Sequence, residues 1–151
     1  GKLVSIEHHE AWYRKVENML STNNINNVEY LFIPKVNHPT NIDDSEESLE
    51  KLSGMEERLG YANYANKVSE YPDDYFDFVL IDADKENVVE YFDLILPMVS
   101  AGGVIITDNM LYPEKYRQDM GKFSDYLKEN PKLLTMATSI GDGEKITIKL
   151  Q

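Results

Sequence analysis

Tyr75-Phe76-Asp77-Phe78-Val79-Leu80-Ile81 is almost unbroken in apolar residues and stops at Asp82-Ala83-Asp84-Lys85. Such a run suits a strand covered on both faces. Asn87 to Val99 then has a helical period, through Val88, Tyr91, Phe92, Leu94, Ile95 and Met98. Ala101-Gly102-Gly103 is predicted to turn the chain into a further strand, Val104-Ile105-Ile106-Thr107, which ends at Asp108-Asn109. Strand, helix and strand in this order predict a parallel pair.

Toward the N-terminus the same alternation recurs. Val28 to Ile33 reads as a strand ended by Pro34. Glu10 to Leu20 reads as a helix, with Trp12, Val16, Met19 and Leu20 at helical spacing. It stops at Ser21-Thr22-Asn23-Asn24, where an Asn can take the left-handed conformation. Leu3-Val4-Ser5-Ile6 is a short strand ending at Glu7. Toward the C-terminus, a helix spans about Glu114 to Glu129. Leu133 to Ser139 and Lys145 to Leu150 read as two strands joined at Gly141-Asp142-Gly143, a hairpin signal. The fold class is therefore α/β: a mostly parallel sheet, helices on both faces, and an antiparallel C-terminal hairpin. An insert at about residues 35–74 interrupts the alternation. Its His38 to Glu50 stretch is polar and acidic, which reads as a surface excursion, and Leu59 to Val68, with Tyr61, Tyr64 and Ala65, reads as helical.

The chain has 151 residues, the size of one domain. Lys and Arg number 15 against 27 Asp and Glu, a formal charge of −12. A field of that sign repels phosphate backbones, so nucleic acid is a disfavoured partner. There are no cysteines, which excludes disulfides and thiolate metal sites and fits a cytoplasmic protein. No apolar run approaches the ~18 residues of a membrane span, and no export leader is visible.

Ligands of open α/β sheets bind beyond the carboxyl ends of the strands, so the polar residues there are the candidates. Glu7, followed by His8 and His9, ends one strand; Asp82 and Asp108-Asn109 end two others. An acid in the position of Glu7 can accept ribose hydroxyls, or it is simply a solvated residue. His8 and His9 can flank a base or merely start the helix. Asp82, Asp108 and Asn109 offer hard oxygen ligands suited to Mg²⁺, and they suit helix N-caps equally well. Lys85, three residues past Asp82, is either a group that takes a proton from a hydroxyl or a solvated surface lysine.

Phe76 to Asn87 resembles the fourth strand and following turn of class I S-adenosylmethionine-dependent O-methyltransferases. The group is the cation-dependent one that includes caffeoyl-CoA and catechol O-methyltransferases. Ala101 to Leu111 resembles the fifth strand with its Asp-Asn pair, Ser139 to Lys149 the terminal hairpin, and Val4-Ser5-Ile6-Glu7 the second strand with its ribose-binding acid. The resemblance implies a Rossmann-like methyltransferase domain over residues 1–151, starting at the family's second strand. The family's first strand, with its glycine-rich loop, would lie in the middle of the sheet, and without it strand edges stay unpaired on both sides of a gap. Phe32-Ile33-Pro34-Lys35 departs from the small or acidic residue that the family often has there against adenine.

By the same resemblance Glu7, His8 and Asp82 would bind S-adenosylmethionine, and Asp82, Asp108 and Asn109 would hold a divalent cation, Mg²⁺ by preference. Lys85 would be the catalytic residue that orients or deprotonates the acceptor hydroxyl. The implied reaction is methyl transfer to a hydroxyl oxygen of a small phenolic or catechol-like molecule. Two alternatives are methylation of a hydroxylated tRNA base and a non-catalytic module used for binding or assembly. A homodimer is the expected assembly.

Overall fold

The computed structural model describes residues 1–33, 64–83, 85–112 and 114–151. They fall into two compact units, Gly1–Asn66 and Lys67–Gln151. Most of the acidic insert, Tyr61 and Asp84 lie outside the described residues. The predicted helix over Leu59 to Val68 is described only at residues 64–68, which are helical. No described helix is long and apolar enough to cross a membrane.

The first unit is a βαβ arrangement. Strand β1 (Leu3–Glu7) leads into helix α1 (Glu10–Thr22), and strand β2 (Val28–Phe32) returns parallel to β1 in the register Leu3↔Val28 to Glu7↔Phe32. A parallel pair needs such a crossover. Helix α1 runs past the predicted stop at Ser21, and the chain turns at Asn24, whose φ of 53° is the left-handed conformation anticipated for this Asn-rich segment. Tyr13 of α1 stacks on Tyr30 of β2 at 4.9 Å between ring centroids and meets Phe32 at 5.3 Å. The solvent side of α1 carries Arg14, within ion-pair distance of Glu10 and Glu17.

In the second unit, strand β3 (Phe76–Ile81), helix α2 (Val88–Ile95), strand β4 (Val99–Thr107), helix α3 (Arg117–Glu129) and strands β5 (Leu133–Thr138) and β6 (Glu144–Lys149) follow in order. The strands lie in the order β3-β4-β6-β5. Strand β3 is parallel to β4, and β6 is antiparallel to both β4 and β5, which makes the predicted hairpin. Among the described residues β1 pairs with β2 alone and β3 with β4 alone, so each keeps one edge without a ladder.

Two expectations change. Ala101-Gly102-Gly103 is not a turn before the strand but part of β4, which starts at Val99. The glycines do mark an irregularity, because the β3–β4 register jumps from Phe76↔Val99 to Phe78↔Val104. A Cβ on Gly103 would sit 2.6 Å from Val99 Cγ1 and 2.8 Å from the Ser100 carbonyl oxygen, so this bulge requires glycine.

The second change concerns cover. Helices α2 and α3 lie on one side of the four-stranded sheet, since Phe92 of α2 meets Phe123 of α3 edge-on at 5.7 Å. Their residues Val88, Tyr91, Met120 and Leu127 are buried, as are Ile81, Val99 and Ile105 of the strands. Burying one such side chain contributes about 1.5–3 kcal/mol. Tyr126 of α3 donates to Asp93 Oδ1 of α2 at 2.5 Å, and that bond, with burial, pushes the phenol up to about 12. By strand alternation the opposite side holds Phe78, Leu80, Leu134 and Met136, which are 57%, 58%, 58% and 59% exposed. The β3 run is therefore covered on one face rather than two, and within this unit the helices share one side.

Candidate active site

In the second unit the site is built at the carboxyl ends of β3 and β4. Ile81 and Thr107 are register partners, so Asp82 and Asp108 leave neighbouring strands side by side. The Asp108 backbone N–H donates to the Ile81 carbonyl at 3.1 Å, carrying the strand pairing into the two loops. Asp108 is half-buried and Asp82 exposed. One Asp108 oxygen, Oδ1, accepts the Asn109 N–H at 2.6 Å. Its other oxygen and the Asn109 amide have no hydrogen-bond partner among the described residues, and Asn109 sits at a φ of 59°.

The N-cap reading of these carboxylates fails locally. The residues before α2 and α3 are Asn87 and Tyr116, and neither helix has a side-chain cap. Lys85 also departs from a solvated lysine. It opens a short 3-10 turn, Lys85–Asn87, is only 8% exposed, and brings Nζ to 3.5 Å from Asp82 Oδ1. A lysine so placed buries its stem and keeps Nζ beside the carboxylate.

Sequence reading missed two supports of this rim. Glu86 beside the Tyr116 hydroxyl pushes that phenol up, which puts the turn after β3 next to the turn before α3. The carbonyls of Asp142 and Gly143 accept the N–H groups of Leu111 and Met110 at 2.9 and 2.8 Å. Gly141-Asp142-Gly143 is legible as a hairpin, but nothing in its spelling says which loop it touches.

The first unit holds the other two candidates. Glu7 turns Oε1 back on the chain, where it accepts the N–H groups of His8 and His9 at 2.8 Å each. This carboxylate therefore serves the start of α1, whose N-cap His9 provides no side-chain bond. Oε2 takes no part in those bonds and can still accept from a ligand hydroxyl. The exposed His8 ring packs edge-on to Tyr64 at 6.5 Å between centroids.

Two carboxylates and an amide oxygen, borne by adjacent strand ends, form a donor set that fits a divalent cation. Among the described residues no group of three or more His, Asp or Glu is gathered for a metal, so such an ion would complete its shell with water or substrate oxygens. Asp82 and Lys85 are in contact, and Asp108 adjoins Asn109 on the neighbouring strand end.

A family profile described as O-methyltransferase matches residues 58–150, more than half of the chain. The chain belongs to that family. It is 32% identical over 89 residues to the flavonoid 3′,5′-methyltransferase of Vitis vinifera, covering 49% of this chain and 38% of the relative. It is 32% identical over 74 residues to the caffeoyl-CoA O-methyltransferase of Stellaria longipes, covering 48% and 31%. The chain thus spans about a third of the length of these curated relatives. The crystal structure of an O-methyltransferase from Bacillus cereus in complex with SAH matches with a TM-score of 0.67 at 21% identity, over 99% of this chain and 63% of that one. That likeness establishes the Rossmann-like methyltransferase fold.

Proposed function

We propose that the chain carries the acceptor-binding rim of an S-adenosylmethionine-dependent O-methyltransferase that methylates a hydroxyl of a small phenolic or catechol-like molecule with the help of Mg²⁺. The observation that carries this reading is the pair of carboxylates on adjacent parallel strand ends, with the buried Lys85 at 3.5 Å from one of them. Relatives named for flavonoid and caffeoyl-CoA methylation support a phenolic acceptor, and the SAH complex of a structural neighbour supports the methyl donor.

Asp82, Asp108 and Asn109 would hold the cation, which when bound supplies a Lewis acid for the acceptor oxygens. Lys85, with its stem buried, presents Nζ from a fixed position to orient the acceptor hydroxyl or take its proton. Asp82 Oδ1 lies 3.5 Å from that Nζ, so one side chain would serve both lysine and cation. Glu7 Oε2 would accept from the donor's ribose, with His8 beside the adenine.

The test is transfer of labelled methyl from S-adenosylmethionine to a catechol, with and without Mg²⁺, by the protein and its Asp108→Ala variant. Loss of a direct ligand is expected to cost at least roughly 10–100-fold, the penalty seen even for groups one step removed from a metal. Unchanged Mg²⁺-dependent turnover in Asp108→Ala removes the cation from the reading. Methylation of tRNA but not of catechol would replace the acceptor class. Failure of the unsubstituted protein to bind S-adenosylmethionine would leave a binding or assembly module.

A further inference from the structure

We propose that the β5–β6 turn, through the carbonyls of Asp142 and Gly143, is the positioning element of the Asp108–Asn109 pair; this rests on the reading that the pair holds a divalent cation. The four consecutive N–H groups from Asp108 to Leu111 all have acceptors. Asp108 donates to Ile81 at 3.1 Å, and Asn109 donates to the Asp108 carboxylate at 2.6 Å. The last two donate across to the turn: Met110 to Gly143 at 2.8 Å and Leu111 to Asp142 at 2.9 Å. Among the described residues, these two bonds are the ones that tie the far side of Asn109 to another element. Asn tolerates its φ of 59° without other help, as Asn24 does at 53°, so these two bonds serve to fix the direction in which the pair faces and not to hold a strained backbone.

The turn is shaped for this task. Gly143 donates to the Ile140 carbonyl at 3.0 Å, and Gly141 and Gly143 adopt φ of 56° and 85°. The β5–β6 ladder is complete from Leu133↔Lys149 to Thr138↔Glu144 without the two carbonyls, so the hairpin does not need them for itself. Leu111 lies directly over Gly143: a Cβ there would stand 2.6 Å from Leu111 Cγ and 2.9 Å from Cδ1. A side chain at 143 therefore strains the backbone and pushes Leu111 off the turn. Met110, itself buried, links Leu111 to Asn109 along the chain and donates to the Gly143 carbonyl, so a shift of the turn would reach Asn109 through it.

The experiment titrates Mn²⁺ into the whole chain and three variants, Gly143→Ala, Leu111→Ala and the double variant, and follows amide hydrogen exchange in each. Gly143→Ala is expected to weaken Mn²⁺ binding roughly 10–100-fold, the range for groups that orient metal ligands. It should also speed exchange at Met110 and Leu111 while Ile146 and Ile148 stay protected. Leu111→Ala keeps both backbone bonds and should hold affinity within about twofold, and adding it to Gly143→Ala should restore much of the loss by relieving the clash. Gly143→Ala binding within about twofold of the unsubstituted chain overturns the inference while leaving the metal reading intact. Equal loss of protection at Met110 and across Ile146 and Ile148 also overturns it, because the turn would then hold the sheet and not the pair. If Mn²⁺ does not bind the unsubstituted chain, the metal reading falls and the inference falls with it.

Discussion

The two faces of the four-stranded sheet are built from neighbouring residues of the same strands, yet they have opposite fates. Ile105 and Thr107 on β4 and Lys145 and Thr147 on β6 are almost wholly buried under α2 and α3. On the flanking strands β3 and β5, Phe78, Leu80, Leu134 and Met136 point the other way and are more than half exposed. The exposed face is the more apolar of the two. The covered face carries two threonines and a lysine; Lys145 donates to Ser124 at 2.8 Å, and its burial pushes the ammonium below the lysine range. Hydrophobicity thus qualifies a residue for the interior but does not choose the side. The choice is made by which face the connecting helices cross, and here both cross the same one.

That contrast can be broken by substitution. The largest effect is expected at Phe123, which is 1% exposed and meets Phe92 under the sheet. Phe123→Ala should cost about 3–5 kcal/mol in urea unfolding, because the helix layer cannot close over the cavity. A loss under about 1 kcal/mol would mean that the covered face is loosely packed. A smaller change of opposite sign is expected at Thr107, whose buried hydroxyl has no partner among the described residues. Thr107→Val keeps the shape and removes an unpaired polar atom, so it should be neutral or stabilise by up to about 1–3 kcal/mol. Clear destabilisation would show that the hydroxyl is satisfied in solution. The smallest effect is expected on the exposed side, where Leu80→Ser should shift stability by no more than about 0.5 kcal/mol. A loss of about 2 kcal/mol or more there would show Leu80 to be buried in solution and would erase the difference between the faces.

Much of the site was legible for a reason tied to topology. Asp82 and Asp108 each follow an apolar run directly, and parallel strands deliver their carboxyl ends to one rim. The order of strands, helices and hairpin was legible as well, because alternation and turn residues are local properties of the chain. Lys85 was not legible as a buried residue, since three residues after a strand a lysine is normally solvated. Burial came from the 3-10 turn that folds it back on Asp82. Glu7 illustrates the reverse: the sequence marks a carboxylate at a strand end, but only the fold shows one oxygen committed to the His8 and His9 amides. The Ala101-Gly102-Gly103 segment was misplaced because glycines signal an unusual backbone equally well in a turn and in a bulge.

By itself the sequence determined the α/β class, the family's motifs in their order and the oxygen-bearing strand ends, because each depends on residues close together in the chain. The tertiary structure alone decided which sheet face is covered and that the hairpin turn reaches Met110 and Leu111. Those outcomes depend on contacts between residues tens of positions apart, and such contacts are set by the packing of whole elements.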